Sequence, residues 1–132
     1  PQLAAIADGP ALVELAEARG ALVRGGPGEG ITEPPRLGDL LVFDRTTGAE
    51  RASQVAVAVS VDDRGVVEFV YLARGVVRRG FLSLARPGEK RDERGSVLNT
   101  HLRANDGGDP RGTPSLAGQL FAATIRLARL LR

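Results

Sequence analysis

The chain has no cysteine, no methionine, no tryptophan and a single histidine in 132 residues. Without cysteine there is no disulfide framework, no thiolate zinc site and no thiol nucleophile within these residues. One histidine excludes a multi-histidine metal centre. Aromatic residues make up only 4%, too few for platforms on which bases stack. No apolar run approaches the roughly 20 residues that a bilayer-spanning helix requires, so direct membrane insertion is not expected. Lysine is nearly missing as well: Lys90 stands alone among 18 basic residues, and the other 17 are arginines. Although the pI is near 9.9, the net charge is only +2 and the arginines are interspersed with acids. That pattern offers no basic stripe for nucleic acid. The absence of methionine together with Pro1 as first residue predicts a processed or excised piece.

What remains is ordinary globular material, 42% hydrophobic and 26% charged, enough for one core over 1–132 and unlike a disordered tail, coiled coil or collagen. Gly9-Pro10 followed by Leu12, Leu15, Ala16 and Arg19 at helical spacing predicts a first helix that Gly20 stops. Residues 25–36 are rich in Gly and Pro and read as a loop. Leu40–Phe43 reads as a buried strand. Gln54–Ser60 places Val55, Val57 and Val59 on one side and Ala56 and Ala58 on the other, which predicts a central strand covered on both faces. The Asp62–Gly65 turn leads into a partner strand over Val66–Leu72, and Gly75 separates it from a fourth over Val76–Leu84. The tract after Pro87-Gly88 reads as a solvated loop. Val97-Leu98 and Leu102 anchor a short segment, and a second loop covers 105–114. Thr113-Pro114 then opens a long amphipathic helix through Leu116, Leu120, Ala123, Leu127 and Leu130, with Arg126, Arg129 and Arg132 at its C-terminal end. Runs of one element type rather than alternation predict an α+β fold, with an antiparallel meander of four to five strands flanked by an N-terminal helix and a long C-terminal helix.

Few residues invite chemistry. His101, in VLNTHLR, reads as a surface or packing residue. No serine lies in a G-x-S-x-G turn. The glycine-rich GGPGEG stretch neither follows a strand nor ends in Lys-Ser/Thr, so it does not read as a phosphate loop. Asp62-Asp63 and Asp92-Glu93 fall in arginine-rich turns and read as solvated charge. No metal and no cofactor is expected.

One ordered set of segments carries more. Pro35-Arg36-Leu37-Gly38-Asp39-Leu40-Leu41-Val42-Phe43, then Ser53–Val59, the Asp63-Arg64-Gly65 turn and Val66–Tyr71, resembles the CHAP and NlpC-type cell-wall amidohydrolase/peptidase family. The likeness extends to the helix Ala11–Leu22, the strand Arg74–Leu84, the segment Val97–Asn99 and Leu116–Phe121. It implies a papain-like fold, a bacterial envelope location (periplasmic or secreted), and a site made of a cysteine on a buried helix, a histidine heading the second strand and a polar residue on the next. The cysteine helix is expected upstream of Pro1. The histidine position corresponds to Gln54, and the third position falls at Tyr71.

A carboxamide does not titrate in the accessible pH range, so Gln54 can neither activate a thiol nor protonate a leaving amine. The expectation is therefore a catalytically inactive peptidoglycan-hydrolase-like domain kept for binding or structural assembly. Tyr71 is expected to donate to Gln54, and Arg74, Arg78 and Arg79 are candidates to hold carboxylates on the rim, although they read first as exposed charges that blunt a strand edge. The expected partner is peptidoglycan, or another chain covering the apolar sheet face. The alternative is an active cysteine-dependent amidase or endopeptidase whose nucleophile lies outside this chain, with His101 as base.

Overall fold

The computed structural model describes residues 9–25, 33–44, 53–102 and 114–131. Residues 26–32 of the loop expected over 25–36, most of that expected over 105–114, the capping Thr113 and the terminal Arg132 lie outside the described residues. The elements are α1 (Gly9–Ala18), β1 (Leu22–Arg24), β2 (Leu40–Asp44), β3 (Ser53–Val61), β4 (Val67–Ala73), β5 (Val76–Leu82), α2 (Ala117–Leu120), β6 (Phe121–Ile125) and α3 (Leu127–Leu130). The fold is α+β, as its composition of runs implied. All strands join one antiparallel sheet in the order β1-β6-β2-β3-β4-β5.

The local signals explain the first helix and the hairpins. After α1 the Ala21 amide bonds the Ala16 carbonyl and the Gly20 amide bonds that of Glu17, a Schellman closure around Gly20 at φ 67°. β4 and β5 meet through a two-residue turn, Arg74-Gly75, with φ 52° and 77°. Both central residues at positive φ define the turn whose twist matches an antiparallel hairpin, and glycine reaches that region at no steric cost.

Two expectations about the sheet are corrected. Among the described residues it has six strands, not four to five, and the long C-terminal helix does not form. Its span is divided into α2, β6 and α3, with β6 inserted between β1 and β2. Residues Phe121, Ala123, Thr124 and Ile125 are all buried. A segment that is apolar all round satisfies helical and extended periods alike, and the β-branched pair Thr124-Ile125 favours the strand. At its start α2 is closed by Gln119, whose Oε1 accepts from the Ser115 and Leu116 amides, both at 3.2 Å.

The sheet has two faces with different cover. On one, Leu41, Phe43, Ala56, Ala58, Val67, Phe69 and Leu82 pack beneath Leu102, Ala117 and Leu120. Four of the five aromatic rings run through this core in a line: Phe121 to Phe43 at 6.1 Å, Phe43 to Phe69 at 5.1 Å, and Phe69 to Tyr71 at 5.8 Å between centroids. On the other face, Leu12 and Ala16 of α1 pack over Val42, Ala123 and Ile125, with Leu40 and Val55 at the margin. One cross-strand row on this second face runs Leu22–Ile125–Leu40–Val57–Val70–Arg79. Its burial fades along the way, from 0% exposure at Ile125 to 39% at Val57. The next row carries Leu72 opposite Val77, exposed to 59% and 70%. The expectation that β3 is covered on both faces is thus corrected: its alanine side is buried, and its valines from Val57 onward face out.

Two further features hold the covered side. Asn99 is completely buried and uses both ends of its carboxamide. Its Oδ1 accepts from the Ser83 and Gly118 amides, each at 2.9 Å, while Nδ2 donates to the Arg86 and Glu89 carbonyls at 2.9 and 2.8 Å. Gly118 lies so close that a Cβ there would sit 2.5 Å from the Pro87 backbone and 2.8 Å from Asn99 Oδ1. Arg126, expected near the C-terminal end of the long helix, is instead buried just after β6, ion-paired with the buried Asp39 and donating from Nη2 to the Pro34 carbonyl at 2.9 Å. Asp39 also accepts from the Arg36 amide at 2.9 Å, so the loop entering β2 is locked to the end of β6.

Candidate functional site

The residues singled out by the sequence converge on β3, β4 and β5 but not on one surface. Gln54 pairs with Phe43 and therefore shares the aromatic face; Tyr71, opposite Ala56, and Arg78, opposite Tyr71, lie on that face too. Arg79 sits opposite Val70 on the other side. Arg74 occupies the hairpin turn. The sheet thus groups Gln54, Tyr71 and Arg78 and separates Arg79 from them.

Gln54 is held by the backbone. Its Nε2 donates to the Val55 carbonyl at 3.3 Å and to the Leu72 carbonyl at 3.2 Å, which ties the start of β3 to the end of β4. Tyr71 packs its half-buried ring against Phe69. Arg79 is ion-paired with Glu68, and its guanidinium lies 5.2 Å over the Phe81 ring, a cation–π geometry. Arg78 and Arg74 make no ion pair among the described residues.

His101 is tied elsewhere. It forms an isolated antiparallel bridge with Leu116, and its Nδ1 lies 3.1 Å from Ser115 Oγ. His101 is exposed while Ser115 is buried, so a reacting group approaching from solvent meets the ring before the hydroxyl. Among the described residues no three His, Asp or Glu side chains gather as a metal site, and no helix is long and apolar enough to cross a membrane.

A turn motif that reads as plain solvated charge in the sequence becomes visible in three dimensions. Asp62-Asp63-Arg64-Gly65 and Asp92-Glu93-Arg94-Gly95 fold alike. In each, the aspartate Oδ1 accepts at 2.9 Å from the amides two and four residues on, and its own amide bonds the carbonyl four residues on. Arg64 joins the two: its Nε and Nη2 donate to Asp62 Oδ2 at 3.1 and 2.9 Å, and Nη1 donates to Asp92 Oδ2 at 2.8 Å. The Ser96 amide, opposed by burial and aided by the Arg94 amide and Arg64, holds the Asp92 carboxyl below the usual aspartate range. Hydrogen bonding and charge attraction from Arg129 do the same for Glu33. The repeated D-x-R-G tetrapeptide, 30 residues apart, was the available signal. Its chemistry is that of a structural clasp, since every carboxylate oxygen of Asp62 and Asp92 already accepts a hydrogen bond within the chain.

The chain matches no family model, no curated protein and no solved structure.

Proposed function

We propose that this chain is a papain-like domain of the CHAP/NlpC kind that has lost hydrolysis and works by binding, as a structural partner within a bacterial cell-envelope assembly. The observation that carries this reading is the state of Gln54. At the place where the resemblance puts the histidine stands a carboxamide whose nitrogen bridges the Val55 and Leu72 carbonyls. Such a group has no proton to exchange near neutral pH, and the loss of a catalytic base lowers rates by roughly three or four powers of ten. The open half of the sheet supports the binding part. Leu72, Val76 and Val77 expose most of their side chains and Val57 a good part, an apolar surface of the kind that marks interaction sites in soluble proteins.

The test is release of new amines or muropeptides from purified peptidoglycan, followed by mass spectrometry, using the intact protein and its Gln54→His variant. The reading requires no release above the buffer control from the unaltered protein. Release that vanishes on substituting a cysteine outside these residues would establish the active amidase or endopeptidase instead.

A further inference from the structure

The edge of the sheet at β5 is only half closed. The Thr100 amide donates to the Phe81 carbonyl at 3.0 Å, the Phe81 amide donates to Thr100 Oγ1 at 2.9 Å, and the Ser83 amide donates to Asn99 Oδ1. Segment 99–100 thus satisfies the outward backbone at the C-terminal end of β5. Antiparallel pairing alternates inward and outward groups, so the same parity turns the N–H and C=O of Val77 and Arg79 away from β4. These groups have no partner among the described residues.

The side chains beside this open stretch alternate in chemistry. Val77 lies on the face with Leu72, both strongly exposed. Arg78 points to the opposite face, and Arg74 sits at the adjoining turn, neither with an ion pair among the described residues. Antiparallel pairing with a second copy centred on Arg78 is disfavoured, because it sets Arg78 against its own mate and like charges directly opposite repel. An added strand with an apolar residue opposite Val77 and a carboxylate opposite Arg78 meets both demands.

We propose that β5 takes up an extended peptide segment of a partner protein, acidic on one side and apolar on the other, as a seventh strand along Val76–Gly80. This identification rests on the assembly role proposed above and adds its edge and its partner chemistry. Main-chain hydrogen bonds to Val77 and Arg79 supply the attachment, and Arg78 selects for negative charge.

The experiment titrates the 15N-labelled protein with a short peptide alternating valine and glutamate, with its valine–lysine counterpart, and with glutamate peptides N-methylated on one or the other set of alternate residues. The expected result is shift changes centred on the Val77 and Arg79 amides, with slowed hydrogen exchange at both, from the glutamate peptide only. One N-methylated set abolishes binding and the other leaves it intact, a pattern that mere charge attraction does not give. Arg78→Glu, on an exposed residue, weakens binding about tenfold. Equal binding of the lysine peptide, shifts centred elsewhere, or no binding of either peptide overturns the proposal and leaves the arginines as charges that protect the edge. Peptidoglycan release measured on the same samples keeps the outcomes separate: turnover contradicts the idle site and leaves the edge result standing.

Discussion

The two halves of the sheet share one backbone architecture and differ in what covers them. Over β6 and β2 both faces are packed, one by α1 and the other by α2 and the segment ending at Leu102. From the middle of β3 through β5 only the aromatic face is packed among the described residues, and the opposite face presents Val57, Leu72 and Val77 to solvent. A single row of side chains, from Ile125 through Leu40 and Val57 to Val70, passes from one regime to the other without a break in register. The residue types hardly change along it, whereas the burial does. Apolar character on a strand therefore reports that a face is meant to be covered, and leaves open whether the same chain supplies the cover.

The largest effect is expected in the covered half at the one buried ion pair among the described residues. Asp39→Ala strips the buried Arg126 of its counter-charge, and leaving such a charge uncompensated costs about 3–5 kcal/mol. A chemical-denaturation midpoint that drops accordingly supports the locked loop, and an unchanged midpoint refutes it. Next comes a direct contrast across the sheet. Ile125→Ala removes a fully buried side chain and is expected to cost roughly 2–5 kcal/mol. Leu72→Ser, on the open half, should stay within about 0.5 kcal/mol. Comparable losses at the two positions would mean that the open face is covered after all.

The smallest effect concerns the clasp that secures the far hairpin. The Asp92 carboxyl is held below the usual aspartate range by the Ser96 amide, with Arg94 and Arg64 assisting. A depressed folded value means that its contribution is complete above the ordinary aspartate range near about 4 and is lost as pH falls through the folded value. The Asp92 carboxyl resonance should accordingly titrate below that of an aspartate in an unstructured peptide. An Arg64→Gln variant should move its midpoint back upward, and no movement would show that Arg64 does not bridge the turns.

Much of this fold was legible, and the reasons are local. Gly20, the Asp62–Gly65 turn and Gly75 mark chain reversals by backbone geometry, so α1 and the β2–β5 meander lie close to where the residues place them. The C-terminal segment was not legible, because a strand buried on both faces has no alternation to display and Leu116, Leu120 and Ala123 happen to fit a helix. Arg126 misled for a related reason: an arginine is read as exposed unless its partner is known, and Asp39 lies far away in sequence. At the candidate site, Gln54 and Tyr71 come to one face as their strand parity requires. That Arg78 and Arg79 part company follows from the same parity, which treats neighbours as opposites. The two D-x-R-G turns were readable as turns, but the bridge by Arg64 depends on β5 and the following loop bringing them together.

The most direct test of the contrast between the halves is solvent contact at the methyl groups of the isolated chain, measured by NMR with a soluble paramagnetic probe. Strong broadening of the Val57, Leu72 and Val77 methyls, with those of Leu41 and Ile125 unaffected, is the predicted result. Valine and leucine methyls on β3–β5 as protected as those of Ile125 would contradict an open face awaiting a partner.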